Sequence, residues 1–239
     1  MKTIVRPTRR DTPELLDQPQ SVLADLPANL RDIRNLNRWF GGTSLALNTV
    51  LRLTAGCTSV SVLDVATGSA DIPLALWHAL HRSGLEPSMV ALDSSAEVLA
   101  EAAAQLDGAA VELQQGDARA LPYPDHSFDI VLCCLALHHF PPQEAVSVLG
   151  EMWRVARRGM IVIDLRRGYL AYAGTWLATH SVARNRLTRH DGPLSVLRAY
   201  TPEELSGLAR RAGVADPTIE RHIFFRQSLV ASGGPTTHG

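Results

Sequence analysis

From residue 60 to residue 165 the chain alternates short, almost wholly apolar runs with stretches of helical character, and few folds accept that rhythm. VSVLDV (60–65), SMVALD (88–93), AVELQQ (110–115), the first part of FDIVLCCLAL (128–137) and GMIVIDL (159–165) read as strands. Residues 71–83, 96–106 and 143–156 read as helices. Strands alternating with helices of this length make βαβ units, and these build a parallel sheet. The strands are apolar at nearly every position rather than at every second one. That pattern suits strands covered on both faces.

The flanks have a different texture. Residues 1–20 hold three prolines and mixed charge, and read as an arm lying on the surface or on a partner. In residues 21–55, Leu23, Leu26, Leu30, Ile33, Leu36 and Phe40 recur every three or four positions, the spacing of one helix face. Pro27 and Gly41-Gly42 should divide this region into two or three short helices. Residues 169–200 break the strand–helix rhythm and read as a cap-like insertion. They carry Tyr169, Tyr172, Trp176, His180, His190 and Tyr200 among arginines; His190 with Asp191, in Arg189-His190-Asp191-Gly192, reads as an oriented base or, in preference, as part of an irregular polar loop. Thr201 through Glu204 then spells a capping box with Pro202 in the first turn, and Gly213 can end that helix. Residues 218–231 supply one or two closing strands. The expected division is an arm and helical cap (1–55), a sheet domain (56–230) and an unstructured tail (231–239).

Composition narrows the function. Lysine and arginine number 23 against 24 acidic residues, for a net charge of −1. A protein that neutralises phosphates carries a basic excess, so nucleic acid is not the expected partner. No apolar run reaches the ~18 residues of a membrane span. The start, MKTIVRPTRRDTPELL, has charge but no apolar core, so no secretory leader is expected. Cys57, Cys133 and Cys134 make no spaced framework; the adjacent pair reads as strand packing in a reduced, cytoplasmic setting.

In an open parallel sheet, ligands bind beyond the carboxyl ends of the strands. Residues suited to that work stand at those ends. After the first strand comes Asp64-Val65-Ala66-Thr67-Gly68-Ser69-Ala70-Asp71, where small residues let the backbone approach a ligand. After the second come Asp93 and Ser94, and a carboxylate there can accept from both hydroxyls of a ribose. After the third comes Gly116-Asp117-Ala118, where Asp117 can accept from an exocyclic amine. Asp64 or Asp93 alone would serve equally well as a helix cap. Carboxylates at three successive strand ends make a nucleotide site the better account. The loop is neither a GxGxxG dinucleotide turn nor a P-loop.

Taken in order, LDVATGSAD, ALD, GDA and FDIVLCCLALHHF resemble the class I S-adenosylmethionine-dependent methyltransferases. The segment Asn37-Arg38-Trp39-Phe40-Gly41-Gly42 is similar to the helical entry of the ubiquinone- and menaquinone-biosynthesis members. The resemblance covers about residues 60–165, and more loosely the rest. It implies a Rossmann-like, seven-stranded, mostly parallel sheet with helices on both faces and an antiparallel last strand. It also implies S-adenosylmethionine as the donor, held by Asp64, Ala66, Thr67, Gly68, Asp93, Ser94, Asp117, Ala118 and Leu135. Asp64 would help hold the methionine amino end, Ala66 and Gly68 would line the methionine, and Asp93 would bind the ribose. Asp117 and Ala118 would flank the adenine, with Leu135 near the reactive methyl. Ala66 and Ala70 depart from the family, which usually has glycines there, and Ala156-Arg157-Arg158-Gly159 stands where a proline-glycine turn is common.

Methyl transfer asks the protein to align the nucleophile and exclude water, and an oxygen nucleophile can also need a base. His138 and His139, after the fourth strand, are the expected catalytic candidates. A metal is not expected, since no cysteine or carboxylate stands at supporting spacing. Arg166-Arg167 reads either as an anchor for an acidic or phenolate substrate or as a solvated turn. Trp39 and Phe40 read as core aromatics or as part of a cap over the site. The two caps together suggest an apolar pocket for a small phenolic, quinone-like or polyketide-like acceptor, methylated on oxygen or carbon. A homodimer is compatible with the sequence. The alternatives are a protein or nucleic-acid methyltransferase, a subunit of the same fold without activity, and a dinucleotide oxidoreductase. The last is disfavoured because it leaves Asp117 and the His-His loop without a role.

Overall fold

The computed structural model describes residues 6–17 and 24–233. The expected unstructured tail lies outside the described residues from position 234 onward. Parallel strands β1 (Ser59–Val65), β2 (Glu86–Asp93), β3 (Val111–Gln115), β4 (Phe128–Cys134) and β5 (Ala156–Leu165) are joined by β6 (Thr218–Arg221) and β7 (Arg226–Ser232). The order is β3-β2-β1-β4-β5-β7-β6. β7 runs against both its neighbours, so the antiparallel last strand is present and lies inside the sheet, with β6 at the edge. β7 extends through Ser232, past the expected domain boundary at residue 230.

Alternate side chains on each central strand enter different cores, which is why the strands are apolar throughout. Val131 and Cys133 of β4 pack toward Leu149 and Met152 of α5 (Pro142–Val155) and Leu205 and Leu208 of α8 (Pro202–Arg211). Ile130 and Leu132 face Val50 of α2 (Gly42–Leu53) and Leu76 and Leu80 of α3 (Asp71–Arg82). A further helix, α4 (Ala96–Ala103), joins β2 to β3 and is N-capped by Ser95, whose hydroxyl accepts from the Val98 amide at 3.2 Å. Between α5 and β5 there is no turn, because the chain passes from Val155 directly into the strand at Ala156. Arg157 and Arg158 there both bond Asp129 at 2.8 Å, which accounts for charge where the family prefers proline-glycine.

The N-terminal region forms α1 (Leu26–Trp39) and α2, with Pro27 in the first turn of α1 rather than interrupting it, as its fixed φ allows. Gly41, at φ 77°, makes the break between them. The capping box on Thr201 and Glu204 is formed, and Gly213 closes α8 in the left-handed conformation.

Residues 169–200 correct the sequence reading. They are two helices, α6 (Tyr169–Val182) and α7 (Arg186–Arg198), and His190 and Asp191 lie in α7 rather than in a loop. Gly192-Pro193 reads as a breaker locally, but here the glycine serves helix packing. A Cβ on Gly192 would fall 2.6 Å from Thr179 Cγ2, so the bare backbone lets α6 and α7 touch. Among the described residues, no helix is long and apolar enough to cross a membrane.

Gly192→Ala should therefore destabilise the fold by about 1–3 kcal/mol through overpacking. Thr179→Ser, which removes the opposing methyl, should recover part of that loss. Urea denaturation of both single variants and the double variant measures the coupling.

Candidate active site

The loop after β1 winds through alternate left-handed residues, with φ of 56° at Ala66, 58° at Gly68 and 53° at Ala70. This explains the family's preference for glycine at these places; an L residue there costs about 1–2 kcal/mol. The winding lets the Thr67 hydroxyl donate to Asp64 Oδ2 at 2.6 Å. Asp64 Oδ1 is buried and has no hydrogen-bond partner among the described residues. Burial, with Asp71 and Asp93 nearby, pushes the Asp64 carboxyl up to about 8 despite the Thr67 bond. A buried acceptor lacking a donor fits the ammonium of a methionine moiety, the role the resemblance implies.

Asp93, at the end of β2, joins this loop. Its Oδ2 accepts from the Gly68 amide at 2.9 Å and its Oδ1 from the Ser95 amide at 3.1 Å. It thus pins the loop and keeps further lone pairs unused, as the sugar-binding role that the resemblance implies would require. Burial raises its pKa against the bonds from Ser95 and Gly68. Ser94 is exposed, and Ala118 is buried. Asp117 is also exposed and is turned onto Arg119, whose Nε and Nη2 reach it at 3.0 and 2.8 Å. Asp64, Ala66, Thr67, Gly68 and Asp93 are therefore brought together, while Asp117 is engaged separately. Leu135 follows β4 with φ 56°, a left-handed leucine anchored by its amide to Ile163 O at 2.7 Å.

His138 and His139 occupy a single 3₁₀ turn, Leu137–His139. Asp164, near the end of β5, receives the His138 amide at 2.9 Å and the His138 Nδ1 at 2.7 Å. The strand-end rule that singles out Asp64 and Asp93 also points to Asp164, and the sequence reading passed over it for Arg166 and Arg167. Arg167 is neither a substrate anchor nor a solvated turn. It is buried and donates to Pro7 O at 2.9 Å and Ala199 O at 2.6 Å, tying the arm to α7.

Nothing local in the sequence announces the arm's contribution. Glu14, 3% exposed, accepts from Ser195 at 2.9 Å and stands 3.6 Å from His138 Nε2 and 3.8 Å from His139 Nε2. Asp17 bonds His139 Nδ1 at 2.9 Å and Arg198 at 2.6 Å. Asp191 of α7 accepts from the Leu15 and Leu16 amides and so fastens this stretch in place. Burial works against charge on His139, and the carboxylates of Glu14 and Asp17 overcome it, raising its pKa to about 9. Burial likewise opposes ionisation of Asp17, but His139 and Arg198 hold it well below the usual carboxylate range.

The argument against a metal, that no carboxylate accompanies the histidines, fails in three dimensions. Glu14, His138 and His139 present ligand atoms within 4.8 Å of one another. The counter-charges already there are the His139 imidazolium and Arg198, whose Nε lies 3.9 Å from Glu14. We read the set as an ion-pair network.

These groups line a cavity of about 350 Å³. Leu135, His138 and His139 line it together with Ile33 and Leu36 of α1, Phe40 just after that helix, Gly174 and Ala178 of α6, and Phe224 and Phe225. Phe40 meets Phe224 edge-on at 5.4 Å, whereas Trp39 is exposed.

Residues 62–159 match the family described as methyltransferase domain. That stretch, about two fifths of the chain, is similar to a methyltransferase domain. The chain is 38% identical over 108 residues to the demethylmenaquinone methyltransferase of Shouchella clausii, a match covering 44% of each chain. The enzyme of the same name from Deinococcus radiodurans is 37% identical over 101 residues, covering 41% of this chain and 39% of that one. The matched stretch thus spans less than half the length of these curated relatives. Among solved structures, an S-adenosylmethionine-dependent methyltransferase from Aquifex aeolicus superposes with a TM-score of 0.61 at 20% identity, over 86% of this chain and 97% of that one. The CurJ carbon methyltransferase gives 0.59 at 11% identity, over 81% and 54%. These likenesses establish the fold.

Two pH effects follow. The raised Asp64 carboxyl ionises at a cost as pH rises toward 8, and a bound ammonium removes that cost. The thermal shift given by S-adenosylmethionine should therefore grow between pH 6 and 8, and Asp64→Asn should abolish the trend. His139, raised from 6.5 to about 9, contributes stability that is complete below about pH 6.5 and lost as pH rises through 9. Chemical denaturation across that range should show a decline that His139→Gln flattens.

Proposed function

We propose that the protein transfers a methyl group from S-adenosylmethionine to a small, largely apolar acceptor bearing an ionisable hydroxyl, of phenolic or quinol type. The observation that carries this reading is the cavity: Leu16, Ile33, Leu36, Phe40, Phe224 and Phe225 give it apolar surface, and His138, His139 and Glu14 present polar atoms to it next to Leu135 at the end of β4. A small ligand suits such a pocket, and a polymer needs an open face instead. The curated relatives, named for a demethylmenaquinone acceptor, support a ring of this class.

The donor supplies an activated methyl on sulfur. The residues of this chain orient the acceptor, exclude water and move a proton. His138 Nδ1–H donates to Asp164, so Nε2 carries the lone pair and acts as base toward the acceptor hydroxyl. His139, held as an imidazolium by Glu14 and Asp17, stabilises the oxyanion that forms. The carbon–sulfur bond breaks as a bond forms to acceptor oxygen, or to a ring carbon activated by it. The displaced proton goes to His138, directly from the hydroxyl or from that carbon, and S-adenosylhomocysteine leaves.

The test is transfer from methyl-labelled donor to a panel of phenols and quinols, with protein and RNA as controls. Label in a small phenol or quinol supports the reading, and label only in a polymer defeats it. With a working acceptor, His138→Ala should lower kcat by about 10²–10⁴-fold, the range of general-base catalysis. Asp164→Asn should lower it as well, with donor affinity by calorimetry unchanged in both. An unaltered kcat in His138→Ala would remove the base assignment while leaving the acceptor class standing.

A further inference from the structure

Helix α6 is built inside out. Its inward positions are small or weakly polar: Ala171 and Thr179 are buried, and Gly174 lies so close to Phe225 that a Cβ would meet the ring at 2.7 Å. Its outward positions are large and apolar. Leu170 is 77% exposed, Leu177 62%, Tyr169 57% and Trp176 48%. Tyr169 and Trp176 are seven residues apart, as are Leu170 and Leu177, so each pair stands on one side of the helix two turns apart. A water-facing helix puts its polar residues outward. Among the 14 residues of α6, Asp, Glu, Lys and Arg are all absent. Two more apolar residues are exposed in the loop whose Phe225 packs on Gly174 of α6: Ile223 is 76% and Phe224 49% exposed, and Phe224 also lines the cavity. An exposed apolar patch of this kind marks an interaction surface.

The charge around the patch identifies its partner. Of the six arginines in residues 166–200, Arg167 and Arg198 are buried and paired with acids, while the one acid in the stretch, Asp191, is buried and occupied by the arm. Arg184 and Arg189, just beyond the C-terminus of α6, are exposed. The chain as a whole has a net charge of −1, so this excess is local. Exposed tyrosine and tryptophan beside leucine, with arginine beyond the helix end, is the residue set enriched where a protein meets a membrane–water interface. At 14 residues α6 is about 21 Å long, too short to span a hydrocarbon core of about 30 Å, but suited to lie along its surface.

We propose that the outer face of α6, with the Ile223–Phe224 loop, seats on an anionic lipid surface and turns the mouth of the cavity toward the bilayer. A lipophilic acceptor would then enter from the membrane without crossing water. That last step rests on the acceptor reading above; the docking itself does not.

Sedimentation with vesicles tests the docking without any turnover. The full chain should pellet with phosphatidylcholine vesicles containing phosphatidylglycerol, with a blue shift of tryptophan emission. It should bind about tenfold less to phosphatidylcholine alone or at high salt. Leu170→Glu combined with Leu177→Glu should lower binding by tenfold or more, and circular dichroism should stay unchanged because neither side chain is buried. Arg184→Glu with Arg189→Glu should remove the preference for anionic lipid. Wild-type protein that stays in the supernatant, or equal binding by the leucine double variant, would overturn the proposal. So would a dimer in sedimentation equilibrium that the leucine variant dissociates, if the wild type ignores vesicles; the face would then belong to a second copy. Loss of methyl transfer to every phenol and quinol, with vesicle binding intact, would count against the acceptor reading alone.

Discussion

The carboxylate of Asp164 holds the active-site wall together. It collects three donors, the amides of His138 and Leu165 and the Nδ1 of His138, at 2.7–2.9 Å in a place almost without solvent. A polar group so buried is tolerable only when its lone pairs are met, and here they are met by the next residue of its own strand and by the turn that follows the neighbouring strand. The same bonds thus set the shape of the Leu137–His139 turn and the direction of the His138 ring. Loss of the carboxylate would orphan two backbone amides and free an imidazole at once.

A second layer of polar contacts encloses that turn from outside. Arg198 bonds the carbonyl of His139 at 2.6 Å and Asp17 at 2.6 Å, and Asp191 takes two consecutive arm amides. The arm has little regular structure of its own, so ordering it costs conformational entropy. Charge-assisted bonds to a preformed helix pair offset that cost better than isolated apolar contacts on so short a segment. The result is a pocket lined by helices, by the Phe224–Phe225 loop and, through His138, His139 and Glu14, by a strand end and a distant strap.

Strain is concentrated around the same region. Ala66, Ala70, Leu135, Phe224 and Phe225 all carry positive φ without being glycine. Three border the cavity and two shape the loop beside Asp64. The sheet imposes these conformations: strand ends fixed by register on both sides leave the chain few ways to turn toward the switch point between β1 and β4. The donor loop and the cavity mouth are thereby pre-shaped, as positions that must meet a ligand at a defined distance require.

Much of the fold was legible in the chain because its signals are local and periodic. Strand and helix alternation, the capping box at Thr201 and the carboxylates at strand ends all lie within a few residues of what they determine, and they led to the sheet and the donor loop. The two helices of 169–200 are not legible locally, since Gly192 and Pro193 carry breaker chemistry and the cause of the glycine, contact with Thr179, is tertiary. By itself the sequence determined a parallel sheet alternating with helices and placed Asp64, Asp93 and His138 at its carboxyl edge. Only the tertiary structure decided what surrounds His138 and His139. Glu14 and Asp17 have no local periodicity, and the bond from Asp17 to His139 joins positions 122 residues apart. Such a contact follows from packing of the whole chain, which no local pattern encodes.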